Sequence, residues 1–140
     1  MKKLFIILAM LICKVSLFAQ DPVHFYLKIQ QSLAHDDFES AISHAKELNE
    51  HSKEFKQLPQ LLEAPDIDSL RQNFLALSEE LVVMLDEGRL KGIKNLVLAT
   101  CPMAFSGKGG DWVQEGKQIL NPYYGASMLR CGSIKYAFDE

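Results

Sequence analysis

The sequence predicts a mainly α protein: a small antiparallel helical bundle followed by an irregular C-terminal cap that has room for a short β-hairpin. Apolar residues recur at helical spacing through most of the chain before Gly88, which favours the bundle. Residues 101–132 hold six glycines and two prolines, which favours turns over long elements. With 140 residues, of which 48% are apolar, the chain has the size and composition of one globular domain.

Residues 1–19 have the pattern of a secretory signal peptide. Two lysines precede an apolar run over residues 4–13, and Ala19 is the small residue that the signal peptidase requires. The segment is shorter than the roughly 20 apolar residues of a transmembrane helix, and no later segment is long and apolar enough to span a bilayer. We therefore expect a periplasmic, exported protein with no transmembrane segment after cleavage, whose single domain covers residues 20–140.

Lipidation at Cys13 is the alternative to cleavage after Ala19. The lipidation peptidase prefers a small residue before the cysteine, and Ile12 stands there, so cleavage after Ala19 is favoured and Gln20 becomes the first residue. The mature chain then carries 12 Lys and Arg residues against 18 Asp and Glu residues, a net charge of −6. Such a chain lacks the basic balance of a typical nucleic-acid-binding domain.

Two amphipathic helices are predicted in the first half of the mature chain. The first begins at Asp21 and Pro22, because Asp can cap a helix and Pro suits its first position. Its apolar face carries Tyr26, Ile29 and Leu33. Residues 35–37 interrupt it, and an Asp there can cap the second helix. The second helix presents an apolar stripe formed by Phe38, Ala41, Ile42, Ala45, Leu48 and Phe55.

A third helix is predicted after a proline-containing linker, which has room for at most one helical turn at residues 60–63. Asp66 or Asp68 caps this helix, and Gly88 stands where a C-terminal capping glycine belongs. Its apolar seam, with spacings of three and four, is formed by Ile67, Leu70, Phe74, Leu77, Leu81 and Met84. Beyond it, the apolar run 96–99 is typical of a short buried strand, with a helix as the alternative.

The residues with the clearest chemistry are two Cys/Met pairs that flank the glycine-rich segment. Cys101 and Met103 open it, and Met128 and Cys131 close it. Residues three apart meet on one helix face, and residues two apart point the same way in an extended strand. Thiolate and thioether sulfurs select soft ions such as Cu(I) and, by extension, Ag(I). If the two pairs face each other, they would form a Cys₂Met₂ site for one of these ions.

From the spacing alone, a disulfide between Cys101 and Cys131 is the favoured interpretation. An exported protein lives where disulfides persist, and closing a loop of about 30 residues stabilises a fold by roughly 3–4 kcal/mol on the chain-entropy estimate. Met103 and Met128 would then only pack around the disulfide. Both interpretations require the two sulfurs to come together. The pattern is not that of a zinc finger, since no CxxC pair or suitably spaced His accompanies the cysteines.

Several short motifs around the cysteines resemble those of a bacterial exported family of unknown function. They are Cys101-Pro102-Met103-Ala104, Gly109-Gly110-Asp111-Trp112, Asn121-Pro122-Tyr123-Tyr124-Gly125, and Met128-Leu129 with Cys131-Gly132. This family occurs as small stand-alone envelope proteins and fused to periplasmic adaptor subunits of heavy-metal efflux pumps of the copper/silver type. The resemblance implies a heavy-metal role, an efflux adaptor or another envelope protein as partner, and no enzymatic activity.

Other conspicuous residues favour structural roles. Trp112 can stack over a bound cation as an accessory to the site, although a core position is more typical of tryptophan. Tyr123 and Tyr124 fit turn and packing roles, and Gly125 fits a position with positive φ. The four histidines, at positions 24, 35, 44 and 51, fit the boundaries of amphipathic helices.

No enzyme class is indicated. The glycines near Lys108 lack the spacing of a phosphate-binding loop, and Cys101 and Cys131 lie too far apart in sequence for a CxxC-type oxidoreductase motif. We therefore expect a non-enzymatic protein that binds Cu(I) or Ag(I) near an efflux system. If the disulfide forms instead, the expected function is an envelope protein-interaction module without a metal.

Overall fold

The computed structural model describes residues 21–138, in which helices pack against a small antiparallel sheet. Helix α1 (Pro22–Ala34) and helix α2 (Phe38–His51) lie side by side. The carboxylate of Asp21 accepts a hydrogen bond from the Val23 amide at 3.0 Å, which caps α1. Asp37 caps α2 in the same way through the Ser40 amide at 3.0 Å. Both predicted helix starts are confirmed.

The predicted signal peptide, residues 1–19, lies outside the described residues, as do the lipidation candidate Cys13 and the expected mature terminus Gln20. Export and cleavage therefore stay predictions. Within residues 21–138, the structure contains no helix that is both long enough and apolar enough to cross a bilayer.

Helix α4 (Ile67–Asp86) is the predicted third helix, preceded by the short α3 (Leu58–Leu62) in the linker. Asp66, and not Asp68, is its N-cap, because its carboxylate accepts from the Ser69 amide at 2.8 Å. At the other end Gly88 has a φ of +66°, and the Gly88 and Arg89 amides donate to carbonyls of the last turn at 2.9 and 3.0 Å. This is the glycine cap that the sequence predicts.

One residue of the predicted second stripe falls outside its helix. Phe55 follows the end of α2 at His51, although it is still buried in the core. The α2 helix ends because Ser52 adopts an extended backbone conformation. The predicted stripe is therefore correct for burial but too long for the helix.

The C-terminal part is a three-stranded antiparallel sheet. Its strands are β1 (Leu96–Cys101), β2 (Gly110–Glu115) and β3 (Ser133–Ala137), in the order β2-β1-β3. A short turn of helix, α5 (Ala104–Gly107), joins β1 to β2, and a 3-10 turn (Gly125–Met128) lies in the connection to β3. The strand predicted at residues 96–99 is thus confirmed as the centre of the sheet.

The prediction of a mainly helical bundle with an irregular cap is wrong for the C-terminal third. The fold is mixed, because this region forms a sheet of three strands rather than a cap with at most a hairpin. Trp112, Val113 and Gln114 of β2 are all buried, so the strand shows none of the apolar–polar alternation that identifies a half-exposed strand. The strand β3 has only five residues.

The helices and the sheet share one core. Helix α4 packs on β2, and α1 contacts both. Inside this interface the hydroxyl of Tyr26 hydrogen-bonds the Ser78 hydroxyl at 2.7 Å and accepts from the Val113 amide at 3.1 Å. Burial raises the pKa of Tyr26 far above its ordinary value. A neutral hydroxyl therefore connects α1, α4 and β2, and it fixes the sheet that carries the first cysteine.

Candidate metal centre

Cys101 and Cys131 meet at one end of the sheet. Their sulfurs lie 3.1 Å apart, although the residues are 30 positions apart in the chain. Cys101 is the last residue of the central strand β1 and is fully buried, whereas Cys131 lies just before β3 and is half-buried. The prediction that the two sulfurs come together is confirmed.

Gly132 allows the backbone beside Cys131 to approach β1. Its φ is +132°, and a Cβ at this position would lie 2.5 Å from the carbonyl oxygen of Thr100 and 3.1 Å from Cη2 of Trp112. Contacts this short exclude a side chain. The glycine after Cys131 is therefore part of what brings the second thiol to the first.

The Cys131 thiol favours its protonated form. The hydrogen bond with the Cys101 thiol, and then burial, raise the pKa of Cys131 above its ordinary value. A thiol with a raised pKa is a weak nucleophile at neutral pH. An ion bound between these sulfurs must displace thiol protons, so its affinity increases with pH.

The two predicted methionine ligands have different surroundings. Met103 directly precedes α5 and is 53% exposed, and its carbonyl accepts a hydrogen bond from the Tyr124 hydroxyl at 2.6 Å. Met128 ends the 3-10 turn, is half-buried, and accepts at its carbonyl from the Cys131 amide at 3.0 Å. Each methionine backbone is thus tied to a segment that also shapes the thiol site.

Strained backbone follows Met103. Phe105 and Ser106 have φ of +52° and +59°, and Gly107 has +82°, so three consecutive residues are left-handed. This conformation costs roughly 1–2 kcal/mol for each residue other than glycine. The Phe105 ring packs on the Tyr123 ring, with centroids 4.9 Å apart, which offsets part of this cost. The turn leaves Met103 facing solvent.

Trp112, the predicted accessory residue, is a fully buried core residue of β2. Its indole Nε1 donates to Oε1 of Gln114 at 3.0 Å, and its ring meets the Tyr123 ring edge to face, with centroids 5.7 Å apart. These contacts are those of a packing residue. One edge of the indole also lies beside Gly132, and stacking on an ion stays a prediction.

Residues 121–125 form a turn between the two cysteine segments. The buried Asn121 donates from Nδ2 to the Cys131 carbonyl at 2.9 Å, and its Oδ1 accepts from the amides of Tyr123 and Tyr124 at 2.8 and 3.2 Å. The Tyr123 hydroxyl donates to the carbonyl of Asp111 on β2. The packing roles predicted for the two tyrosines are therefore confirmed, and each hydroxyl also makes a hydrogen bond.

The same turn is bound to the helices by a charged pair. Arg71 of α4 donates from Nε to the Pro122 carbonyl at 2.9 Å and from Nη2 to Oδ1 of Asp36 at 2.6 Å. The other carboxylate oxygen of Asp36 accepts from the Ala126 amide at 3.0 Å. Gly125 has a φ of +60°, as predicted, and its Cβ would lie 1.9 Å from Asp36, so only glycine fits under the pair.

Sequence reasoning missed three residues that build this region. Arg71 lies four positions after Ile67 and three before Phe74, on the apolar face of α4, and a charge at such a position signals a buried partner. Asn121 precedes Pro122, a pair that favours a side-chain-capped turn. Gln114 is buried and donates to the carbonyls of Gly116 and Gln118, which no pattern indicates.

No three His, Cys, Asp or Glu side chains gather into a possible metal cluster within residues 21–138. The predicted site is a two-cysteine site completed by thioethers. Comparisons with protein families, with curated proteins and with solved structures find no match to this chain. The resemblance carried by the cysteine-flanking motifs, with the heavy-metal role that it implies, therefore stays a prediction.

Proposed function

We propose that this is an exported, non-enzymatic protein that binds one Cu(I) or Ag(I) ion near a heavy-metal efflux system. Cys101 and Cys131 are its principal ligands, and Met103 and Met128 are additional ligands. The observation that carries the proposal is the 3.1 Å approach of two thiols from separate elements. Two thiolates bring the negative charge and the softness that these ions prefer.

The two sulfurs need to move only slightly further apart to bind an ion between them. With metal–sulfur bonds near 2.3 Å, a tetrahedral angle at the ion requires sulfurs about 3.8 Å apart. The pair must therefore open by about 0.7 Å from its 3.1 Å separation. Cys101 is fixed on the central strand, whereas Cys131 is half-buried in a connecting segment. Cys131 is thus the thiol that moves, and its exposed side is the side of entry.

A structural disulfide is the second candidate, and the same distance favours it. Closing the sulfurs from 3.1 Å to the 2.05 Å of a disulfide needs a movement of similar size. A disulfide has no thiolate to offer an ion, so oxidation and ion binding compete. If the disulfide persists, the function is that of an envelope protein-interaction module.

The exposure of one methionine supports a soft-ion site over a plain disulfide. Met103 is 53% exposed, so it fills no core position. A thioether adds a soft donor without charge. In the proposed function Met103 is the ligand that first meets the ion, and the thiols then retain it.

A Cu(I) titration against a competing chelator under reducing conditions tests the proposal. We expect one Cu(I) per protein for the wild type. Cys101→Ser and Cys131→Ser should each abolish tight binding, because one thiolate is lost. Met103→Leu and Met128→Leu preserve side-chain volume and apolarity, so the domain should stay folded. Each should weaken Cu(I) binding by about tenfold, because one sulfur ligand is lost.

Met84 provides the matched control. It is fully buried in α4, within the helical seam, so Met84→Leu should leave Cu(I) affinity unchanged. Wild-type binding no tighter than that of the double cysteine variant would contradict the proposal. If the methionine variants bind Cu(I) as tightly as the wild type, the thioethers are not ligands. The structural disulfide would then be the preferred interpretation.

A further inference from the structure

Asn121 joins both ends of the segment that carries Cys131. It is fully buried, and its backbone amide donates to the Leu129 carbonyl at 2.9 Å. Its side-chain Nδ2 donates to the Cys131 carbonyl at 2.9 Å. Two hydrogen bonds from one residue thus hold the chain just before and at the second cysteine.

Tyr124 connects the same turn to the first cysteine segment. Its amide is held by Oδ1 of Asn121 at 3.2 Å, and its hydroxyl donates to the Met103 carbonyl at 2.6 Å. Met103 lies two residues after Cys101 in the chain. The turn is therefore bonded on one side to the segment of Cys131 and on the other side to the segment of Cys101.

We propose that Asn121 is a positioning residue that sets the distance between the Cys131 and Cys101 thiols, and so the balance between dithiol and disulfide. Tyr124 supports it from the Cys101 side. The consequence for Cu(I) rests on the proposed function, whereas the consequence for the dithiol–disulfide balance does not. The two consequences can therefore be measured separately.

Weakening the hydrogen bonds of Asn121 and Tyr124 lowers the effective concentration of one thiol near the other. Oxidised glutathione takes two electrons from the protein dithiol: the protein S–S bond forms, the glutathione S–S bond breaks, and the two thiol protons pass to the two glutathione thiols. A Cys131 held less closely forms this intramolecular bond less readily. The equilibrium then shifts toward the dithiol, by about five- to tenfold for one hydrogen bond lost.

Asn121→Asp in the full mature chain is the principal variant. It keeps the Oδ1 acceptor for Tyr123 and Tyr124 but, when ionised, has no donor for the Cys131 carbonyl. The measurement is the dithiol–disulfide ratio in glutathione buffers of known composition at mildly alkaline pH. The control is Asn73→Asp, which makes the same amide-to-carboxylate change and removes a more exposed side-chain bond to the Gln60 carbonyl, 2.8 Å long, on the helices. The control should leave the ratio unchanged.

Tyr124→Phe is the second variant, and it removes a single hydroxyl from a half-buried ring, so folding is preserved. Its control is Tyr136→Phe, at a tyrosine of β3 that is 40% exposed. Tyr124→Phe should shift the glutathione ratio toward the dithiol, and Tyr136→Phe should not. If Asn121→Asp does not fold, which circular dichroism detects, this pair decides the question.

The outcomes separate positioning from function. A shifted glutathione ratio with weakened Cu(I) binding supports both proposals. A shifted ratio in a protein whose wild type binds no Cu(I) supports positioning and contradicts the proposed function. Ratios equal to wild type in the folded variants would overturn the role of Asn121, whatever the Cu(I) affinity.

Discussion

Two glycines, one beside Cys131 and one in the turn at 121–125, are required for space as well as for backbone conformation. A Cβ on Gly132 would lie 2.5 Å from the Thr100 carbonyl oxygen, and one on Gly125 would lie 1.9 Å from Asp36. The first contact is with a rigid central strand, so a side chain at position 132 must push the backbone away from β1. Cys131 precedes it directly and would move with it.

We expect Gly132→Ala to destabilise the protein by about 2–4 kcal/mol, from a clash added to a strained φ, and to separate the two sulfurs. Gly116→Ala is the matched control, because Gly116 also has a positive φ, of +76°, but its Cβ would meet nothing within 4 Å. Gly116→Ala should lower the free energy of unfolding by about 1–2 kcal/mol. Chemical denaturation measures both, and equal losses would show that the close approach to Thr100 is unimportant.

The roles of individual residues were predictable where those residues belong to short sequence motifs. The meeting of Cys101 and Cys131 followed from their sulfur chemistry and is confirmed at 3.1 Å. The roles of Asn121 and Arg71 could not be predicted, because each acts through contacts with backbone carbonyls that are remote in sequence. Such contacts depend on the tertiary fold and leave little periodic signal.

The turn at 121–125 lies between the two cysteine segments, and the helices hold it in place. Arg71 of α4 bonds the Pro122 carbonyl, the Leu33 carbonyl at the end of α1, and Asp36 in the loop after it. The hydrogen bond from Arg71, and then that from the Ala126 amide, hold the pKa of Asp36 below its usual range. The turn is therefore coupled to α4, to the end of α1 and to the loop after it, through Arg71 and the ionised carboxylate of Asp36.

We expect Asp36→Asn to lower the free energy of unfolding at neutral pH by about 1 kcal/mol, a value discounted because 44% of the carboxylate is exposed. Because the folded-state pKa is depressed, this contribution is present above the ordinary Asp pKa of about 3.9 and is lost as the pH falls below it. The wild type and Asp36→Asn should therefore converge in stability in acid. Urea unfolding at several pH values measures this.

Asp68→Asn is the control for this prediction. Asp68 also faces Arg71, but at 3.8 Å and with 86% of its side chain exposed, so its replacement should have little effect at any pH. If Asp36→Asn and the wild type kept a constant difference down to strongly acidic pH, the ion pair would not be the source of the stabilisation.

Elements were predictable where local signals and periodicity agree. The N-caps Asp21, Asp37 and Asp66 and the Gly88 terminus all appear where helix signals place them. The strands β2 and β3 were not recognised, because short strands near glycines resemble turns and because both faces of β2 are covered. Their pairing with β1 is a non-local property.

Over the whole molecule, charge is distributed unevenly along the chain. Residues 21–88 hold 14 Asp and Glu against 5 Lys and Arg, whereas residues 89–138 hold 2 against 7. The net negative charge therefore belongs to the helices, and the part with the thiols is basic.

In the proposed function, sulfur atoms of this chain hold one soft ion. Copper K-edge X-ray absorption on the reduced, Cu(I)-loaded mature protein tests it most directly. We expect a shell of three or four sulfur atoms at about 2.3 Å, which loses one sulfur in Met103→Leu. A shell made of nitrogen or oxygen, or one unchanged when Cys101 and Cys131 are both replaced by serine, would contradict it.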